Sequence, residues 1–143
     1  GLNQVKIMSE YVKIFDIPVH KIITSPSCRA RQTAEYVFDR FDEVNNLFLH
    51  YGIFYENKSA YSKLIKKELL KISVTDNSNI IITAHGGVIE KSIFDEIQND
   101  EKKFDLNEGG FFVIKKNDKK LILVHKFQNF EHFKRVLVTR PMN

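Results

Sequence analysis

The chain has 143 residues, 43% hydrophobic and 12% aromatic, with a formal net charge of +4. This length and apolar share suit one domain with a single core and exclude a disordered or fibrous polypeptide. The basic excess is spread over Lys66-Lys67, Lys102-Lys103, Lys115-Lys116 and Lys119-Lys120, which reads as solvated surface rather than as an arm for nucleic acid.

Cys28 is the sole cysteine, so no disulfide forms within the chain, as expected of a reducing, cytoplasmic setting. No apolar run nears the roughly 20 residues of a membrane helix, and no charged-then-apolar leader opens the chain. The expectation is a cytoplasmic protein with no membrane partner.

Taken in order, Asn3 to Phe15 has an apolar stripe of Val5, Met8, Val12 and Phe15 and predicts a helix. Asp16-Ile17-Pro18 ends it. Lys21-Ile22-Ile23-Thr24-Ser25 predicts a short strand rich in β-branched residues. Ser25-Pro26-Ser27 is a turn and cap cluster opening a second helix over 28–41, with Ala30, Ala34, Val37, Phe38 and Phe41 inward. Leu47-Phe48-Leu49 predicts a weak strand, and the aromatic-rich stretch 51–58 an irregular loop.

Tyr61, Leu64, Ile65, Leu69 and Ile72 predict a third helix. Asn79 to Thr83 is a continuous apolar run, the signature of a strand buried on both faces. It stops at Ala84-His85-Gly86-Gly87. Val88, Ile89, Ile93 and Ile97 then recur at helical spacing and predict a helix starting just after His85. Phe111 to Ile114 and Leu121 to Val124, separated at Asn117-Asp118, predict an antiparallel hairpin. Asn129 to Arg135 predicts a short helix and Val136 to Thr139 a last strand.

Strands alternating with helices imply an α/β fold with a mostly parallel sheet covered on both faces, the hairpin adding an antiparallel part. If the Ile22 and Ile81 strands are parallel neighbours, their carboxyl ends share one edge, where open α/β sheets bind ligands. Arg29 offers a planar fork of donors suited to phosphate oxygens. His85 can donate a hydrogen bond or carry a proton. Together they read as a phosphate site; the alternative is an exposed arginine and a scaffolding histidine. The histidines are too scattered to suggest a metal site.

Four segments resemble the histidine phosphatase superfamily, the phosphoglycerate-mutase-like proteins. Ser25-Pro26-Ser27-Cys28-Arg29-Ala30-Arg31-Gln32-Thr33-Ala34-Glu35 is similar to that family's S-P-x-x-R-A-x-Q-T-A-E segment. Ala84-His85-Gly86-Gly87-Val88-Ile89 resembles its second H-G-x-x-I segment. Gly1-Leu2-Asn3-Gln4 is similar to the G-x-x-Q of its first helix, and Asn107-Glu108-Gly109-Gly110-Phe111 to the N-x-G turn before its late strand.

The resemblance implies a single domain over 1–143, a three-layer α/β/α sandwich whose first strand is missing at the N-terminus. It implies a phosphomonoester hydrolase acting through a phosphohistidine on a phosphorylated small molecule or phosphoprotein, with no cofactor. Arg29, His85 and Gly86 would hold the phosphoryl group. The family's carboxylate general acid falls on Glu56, or alternatively Glu43.

The family's nucleophile, the histidine of an R-H-G motif, occurs nowhere in the 143 residues; His20, His50, His125 and His132 lack that context. It is expected either upstream of Gly1 or not at all. In the second case the chain is a pseudo-phosphatase that binds phosphorylated ligands or a protein partner. A further expectation is a permutation. Arg135 to Asn143 would then be the missing strand, Arg140 would be a phosphate ligand, and Pro141 would replace the nucleophile.

Overall fold

The computed structural model describes residues 2–49, 57–98, 104, 106, 109–117 and 119–139. The elements are α1 (Leu2–Ile14), β1 (Val19–Thr24), α2 (Cys28–Phe38), β2 (Glu43–Val44), a 3-10 turn (Asn46–Leu49), α3 (Lys58–Lys71), β3 (Asn79–Thr83), a second 3-10 turn (Lys91–Ile93), β4 (Glu96–Ile97), β5 (Phe111–Lys116), β6 (Leu121–Phe127) and α4 (Phe130–Thr139). The chain is therefore α/β, as its alternating pattern implied. Among the described residues no helix is long and apolar enough to cross a membrane.

The described strands form two three-stranded sheets rather than one. The first, β2-β1-β3, is parallel throughout; the second, β4-β6-β5, joins a parallel pair to the antiparallel hairpin. One apolar cluster spans both, with Ile23, Phe48, Tyr61, Ile65, Leu69, Val88, Ile93 and Leu121 buried together and Ile80, Ile82 and Ile114 packed against them. Helix α3 supplies the centre of that cluster through Tyr61, Ile65 and Leu69. The Lys116 ammonium ties β5 to the end of α3 by donating to the Leu70 carbonyl at 2.7 Å and to the Ile72 carbonyl. This meets acceptors that a helix carboxyl end leaves open.

The abundance of phenylalanine has a structural destination. Tyr11 of α1, Phe15 just after it, Phe111 of β5, Phe127 of β6 and Phe130 and Phe133 of α4 form a second aromatic cluster. Its ring centroids lie 4.8 Å apart for Phe111–Phe130, 5.0 Å for Phe127–Phe133 and 5.7 Å for Phe15–Phe133. Tilted and edge-on pairs at such spacings match ring quadrupoles. They fasten α4 to α1 and to the hairpin.

Four local expectations are corrected. Helix α2 stops at Phe38 because Asp39 turns left-handed (φ 64°). Leu47-Phe48-Leu49 is a 3-10 turn, not a strand: the Asn45 side chain accepts the Leu47 N–H at 3.0 Å and bends the chain, a usual role of asparagine. The pairing strand comes just before it, at Glu43–Val44. No helix follows His85. Gly86 and Gly87 make a turn closed by the Val88 N–H on the His85 carbonyl (3.3 Å), with Gly87 at φ 87°. The following segment is captured by β6, through Asp95 N–H to Leu121 O and Gln98 N–H to Leu123 O, both 2.9 Å. Val88 and Ile93 still reach the core, each 1% exposed. β-branched residues have weak helical preference, so tertiary pairing decides.

The fourth correction concerns the C-terminal segment. Val136 to Thr139 continues α4 rather than forming a strand. Asn129 starts that helix by accepting the His132 N–H at 2.8 Å, and the packing of Phe130 and Phe133 carries it forward. The strand needed for a permutation is absent there, and Arg140 lies outside the described residues.

Asp95 bridges the parts. Its carboxylate pairs with Lys66 of α3 at 2.9 Å and accepts the Leu121 N–H at 2.9 Å. The Lys66 hydrogen bond, then the Leu121 N–H, hold its pKa below the ordinary carboxylate value. Asp42, accepting the Ile22 N–H at 2.8 Å beside Arg40, is lowered likewise. Because the folded pKa lies below the unfolded one, both stabilise the fold above the unfolded value of about 3.9 and lose that contribution as pH falls through the folded value. Urea denaturation at pH 7 and pH 3 is expected to show lower stability at pH 3, and Asp95→Asn to narrow the gap. An equal gap in the variant would remove Asp95 as a cause.

Candidate functional site

The register of β1 and β3 builds the site. The two strands are parallel with Thr24 opposite Thr83, so Ser25 and His85 leave the sheet on the same edge. The Ser25 N–H donates to the Thr83 carbonyl at 2.9 Å, extending the ladder one residue past the strands. Ser25 is fully buried, and its Oγ lies 2.8 Å from His85 Nε2.

Ser27 caps α2 from an extended conformation (φ −68°, ψ 149°), its hydroxyl accepting the Ala30 N–H at 3.1 Å. A serine N-cap satisfies one of the orphan amides of a first helical turn. Ser25 Oγ accepts the Ser27 N–H and lies near Ser27 Oγ, both at 3.3 Å. A continuous chain of polar groups thus runs from His85 through Ser25 and Ser27 to the start of α2. Arg29 lies in that first turn, exposed, with its carbonyl taking the Thr33 hydroxyl at 2.9 Å. Gly86 has nothing within 4 Å of where a Cβ would stand, so its approach is open.

The predicted residues are therefore placed unequally. His85 lies at the shared edge as expected, at a glycine turn instead of a helix start; the helix start at this edge is that of α2, which carries Arg29. Glu43 sits on β2 with its carboxylate 2.6 Å from Lys21 of β1. Glu56 and Arg140 lie outside the described residues. Arg31 leans back toward the Cys28 thiol at 3.6 Å, along a shallow depression of about 170 Å³ lined by Cys28, Arg31, Gln32 and Glu35. Among the described residues no cluster of three or more His, Cys, Asp and Glu could hold a metal.

Ser25 was readable as the end of a strand and the start of a turn, not as a partner of His85. Its contact to His85 spans 60 positions and has no local sequence signal; the parallel register creates it.

One buried group near this edge lacks a partner. Thr83 Oγ1 makes no hydrogen bond among the described residues. An unsatisfied buried hydroxyl costs about 1–3 kcal/mol, so Thr83→Val is expected to raise unfolding stability by about 1 kcal/mol in urea titration. A loss of stability would show that the hydroxyl is satisfied.

No family model, curated protein or solved structure matches the chain.

Proposed function

We propose that the chain recognises a phosphoryl group at the common carboxyl edge of β1 and β3, and that it serves a phosphomonoester hydrolase of the histidine phosphatase type. The observation that carries this reading is the junction of His85, Ser25 and the capped start of α2, which bears Arg29, on one edge. Helix-start amides, an arginine fork and an imidazole are the donors that an anionic tetrahedral group needs.

The finer fold goes with it: a three-layer α/β/α sandwich of the phosphoglycerate-mutase-like type. Two packing features support that reading. Helix α1 packs against both α2 and α4, while α3 packs into the core cluster under both sheets. Strand β3 pairs only with β1 among the described strands, and in this reading a parallel strand carrying R-H-G would pair with its other edge. Such a strand would end beside His85.

In the proposed reaction the R-H-G imidazole attacks phosphorus and the ester P–O bond breaks. The leaving oxygen takes a proton from a carboxylic acid, for which Glu56 is the candidate. Water, giving a proton to that carboxylate, then attacks phosphorus; the P–N bond breaks, phosphate is released and both the imidazole and the acid are restored. Arg29 and His85 hold the charge on the phosphoryl oxygens as it spreads. The substrate class is a phosphorylated small molecule or phosphoprotein, and the exposed thiol of Cys28 fits a reducing, cytoplasmic setting.

A second reading follows from one observation, the absence of R-H-G from these 143 residues. In it the same edge binds phosphorylated ligands without turnover. Titration of the 143-residue chain with inorganic phosphate, followed by amide NMR, tests what the two readings share. Shifts are expected at residues 25–30 and 85–87. His85→Ala and Arg29→Ala should each weaken binding at least roughly tenfold, the loss of one charge-assisted hydrogen bond. Shifts confined to surface lysines would refute both readings.

A further inference from the structure

We propose that the outward face of α3 and the β5–β6 turn form one basic surface that binds the phosphate backbone of duplex nucleic acid without reading its sequence. The surface is independent of the proposed phosphate site at the β1–β3 edge. In the sequence the lysines are scattered pairs; the fold collects them. Tyr61, Ser62, Ile65 and Leu69 of α3 are buried. At about 3.6 residues per turn, that leaves Lys63, Lys67 and Lys71 on the opposite side, with Lys66 at its flank. Lys63, Lys67 and Lys71 are exposed. They stand four residues apart, so about 6 Å of helix axis separates each from the next.

The hairpin turn joins this face through Asp95. One oxygen of Asp95 takes Lys66 Nζ at 2.9 Å and the other takes the Leu121 N–H at 2.9 Å, which brings Lys120 and the turn before it beside Lys66. Asn117 Oδ1 holds that turn by accepting the Lys119 N–H at 3.3 Å and the Lys120 N–H at 3.0 Å, and both lysines are exposed. Carboxylates are few on this side. Asp95 is engaged by Lys66, and Glu68 accepts from Asn45 Nδ2 at 3.1 Å, with Lys71 at 3.9 Å. Counting Asp118 from the sequence as well, six lysines stand against three carboxylates, a balance of +3 within a formal net charge of +4. Most of the chain's basic excess is therefore concentrated here.

The character of the surface selects the partner. Lysine is a point charge without the planar fork that suits a base edge, so its contacts go to phosphates. The face has no exposed aromatic side chain on which unpaired bases could stack; among the described residues the exposed aromatic is Tyr36, on α2. The apolar side of α3 is occupied by the core, and Leu64 is the exposed large apolar residue of that helix, too little to enter a lipid interface. Duplex nucleic acid carries one charge per roughly 1.7 Å of axis, dense enough to meet lysines about 6 Å apart. Lys63 and Lys67, and Lys67 and Lys71, repel each other across one helical turn. A phosphate backbone neutralises that repulsion and releases its own counterions.

A fluorescein-labelled DNA duplex of about 24 base pairs, titrated with the chain at roughly 50 to 200 mM NaCl and read by anisotropy, tests the surface. About five phosphate contacts give an expected slope of log K against log[salt] of roughly −4.5, a fall of several hundredfold over that range. The double variant Lys63→Glu/Lys67→Glu is expected to weaken binding at least roughly tenfold and to make the slope shallower by about 2. Lys6→Glu/Lys13→Glu changes the formal charge equally at exposed positions of α1 and is expected to weaken binding less than about threefold. Equal losses in the two variants overturn the proposal, because net charge alone then explains the binding. So does an absence of binding at the lowest salt, or a wild-type slope shallower than about −2; the wild-type titration decides even if the α3 variant fails to fold. Tighter binding to phosphatidylserine vesicles than to the duplex, with the same dependence on Lys63 and Lys67, also overturns it and assigns the surface to a membrane.

Discussion

On the phosphatase reading proposed above, replacing His85 or Arg29 by alanine is expected to lower kcat/KM for an aryl phosphate roughly 10²–10³-fold each, the usual loss for one preorganised transition-state donor. The measurement is steady-state hydrolysis. The size follows from where the donors act. Charge on the phosphoryl oxygens is redistributed as the ester bond breaks, so a fixed N–H aimed at them gains strength in the transition state rather than in the ground state. The fall should therefore appear in kcat as well as in KM. His85 is held by a buried partner at 2.8 Å, so its donor needs little reorganisation. Arg29, exposed on the first turn of α2, would have to reach a phosphoryl group by its long side chain, and its loss should weigh more on KM.

Glu43→Gln supplies the contrast. Its carboxylate is engaged by Lys21 at 2.6 Å, and the variant is expected to change turnover by less than about twofold. A large loss in Glu43→Gln, with His85→Ala and Arg29→Ala unaffected, would move the chemistry away from the β1–β3 edge.

The legible part of this fold is the part that local patterning determines. The run Asn79 to Thr83 announced β3, and Lys21 to Thr24 announced most of β1, because continuous β-branched residues suit a strand covered on both faces. The stripes in α1 and α3 gave those helices to within a few residues, and the hairpin followed from two apolar runs around Asn117. The segment after His85 was read wrongly for a physical reason. Val88, Ile89, Ile93 and Ile97 have helical spacing, yet the same residues are served by a glycine turn and a two-residue strand once β6 offers Leu121 and Leu123 as partners. Periodicity records which residues are apolar, not which backbone bonds they will find.

The site was legible to a similar depth. His85 and Arg29 could be placed at strand ends from chemistry and position. Ser25 could not be joined to His85, since that contact depends on the parallel register of two strands separated by α2, β2 and α3. Val136 to Thr139 shows the converse. Four residues of high strand preference become helical because Asn129, Phe130 and Phe133 have already committed the chain to α4.

Tyr61→Ala is expected to be the most damaging single core substitution, at about 4 kcal/mol of unfolding free energy by urea titration. Tyr61 is 1% exposed and stands in the cluster that lies under both sheets. Its ring joins α3 to Phe48 and the 3-10 turn, and its hydroxyl donates to the Leu47 carbonyl at 2.7 Å. Alanine removes the ring, leaves a cavity where α3 holds the two sheets together, and deprives the Leu47 carbonyl of its donor. Against a total stability of about 5–15 kcal/mol for a domain of ordinary size, this is a large share, and much of the population should be unfolded at modest urea. Tyr61→Phe separates the two contributions. It keeps the ring and loses only the hydroxyl, for an expected cost of about 1 kcal/mol. The interval between the two variants measures packing at the junction of the sheets. If phenylalanine costs as much as alanine, the Leu47 hydrogen bond and not the apolar cluster holds the 3-10 turn on α3. If both are near neutral, α3 is not the element that unites the two sheets.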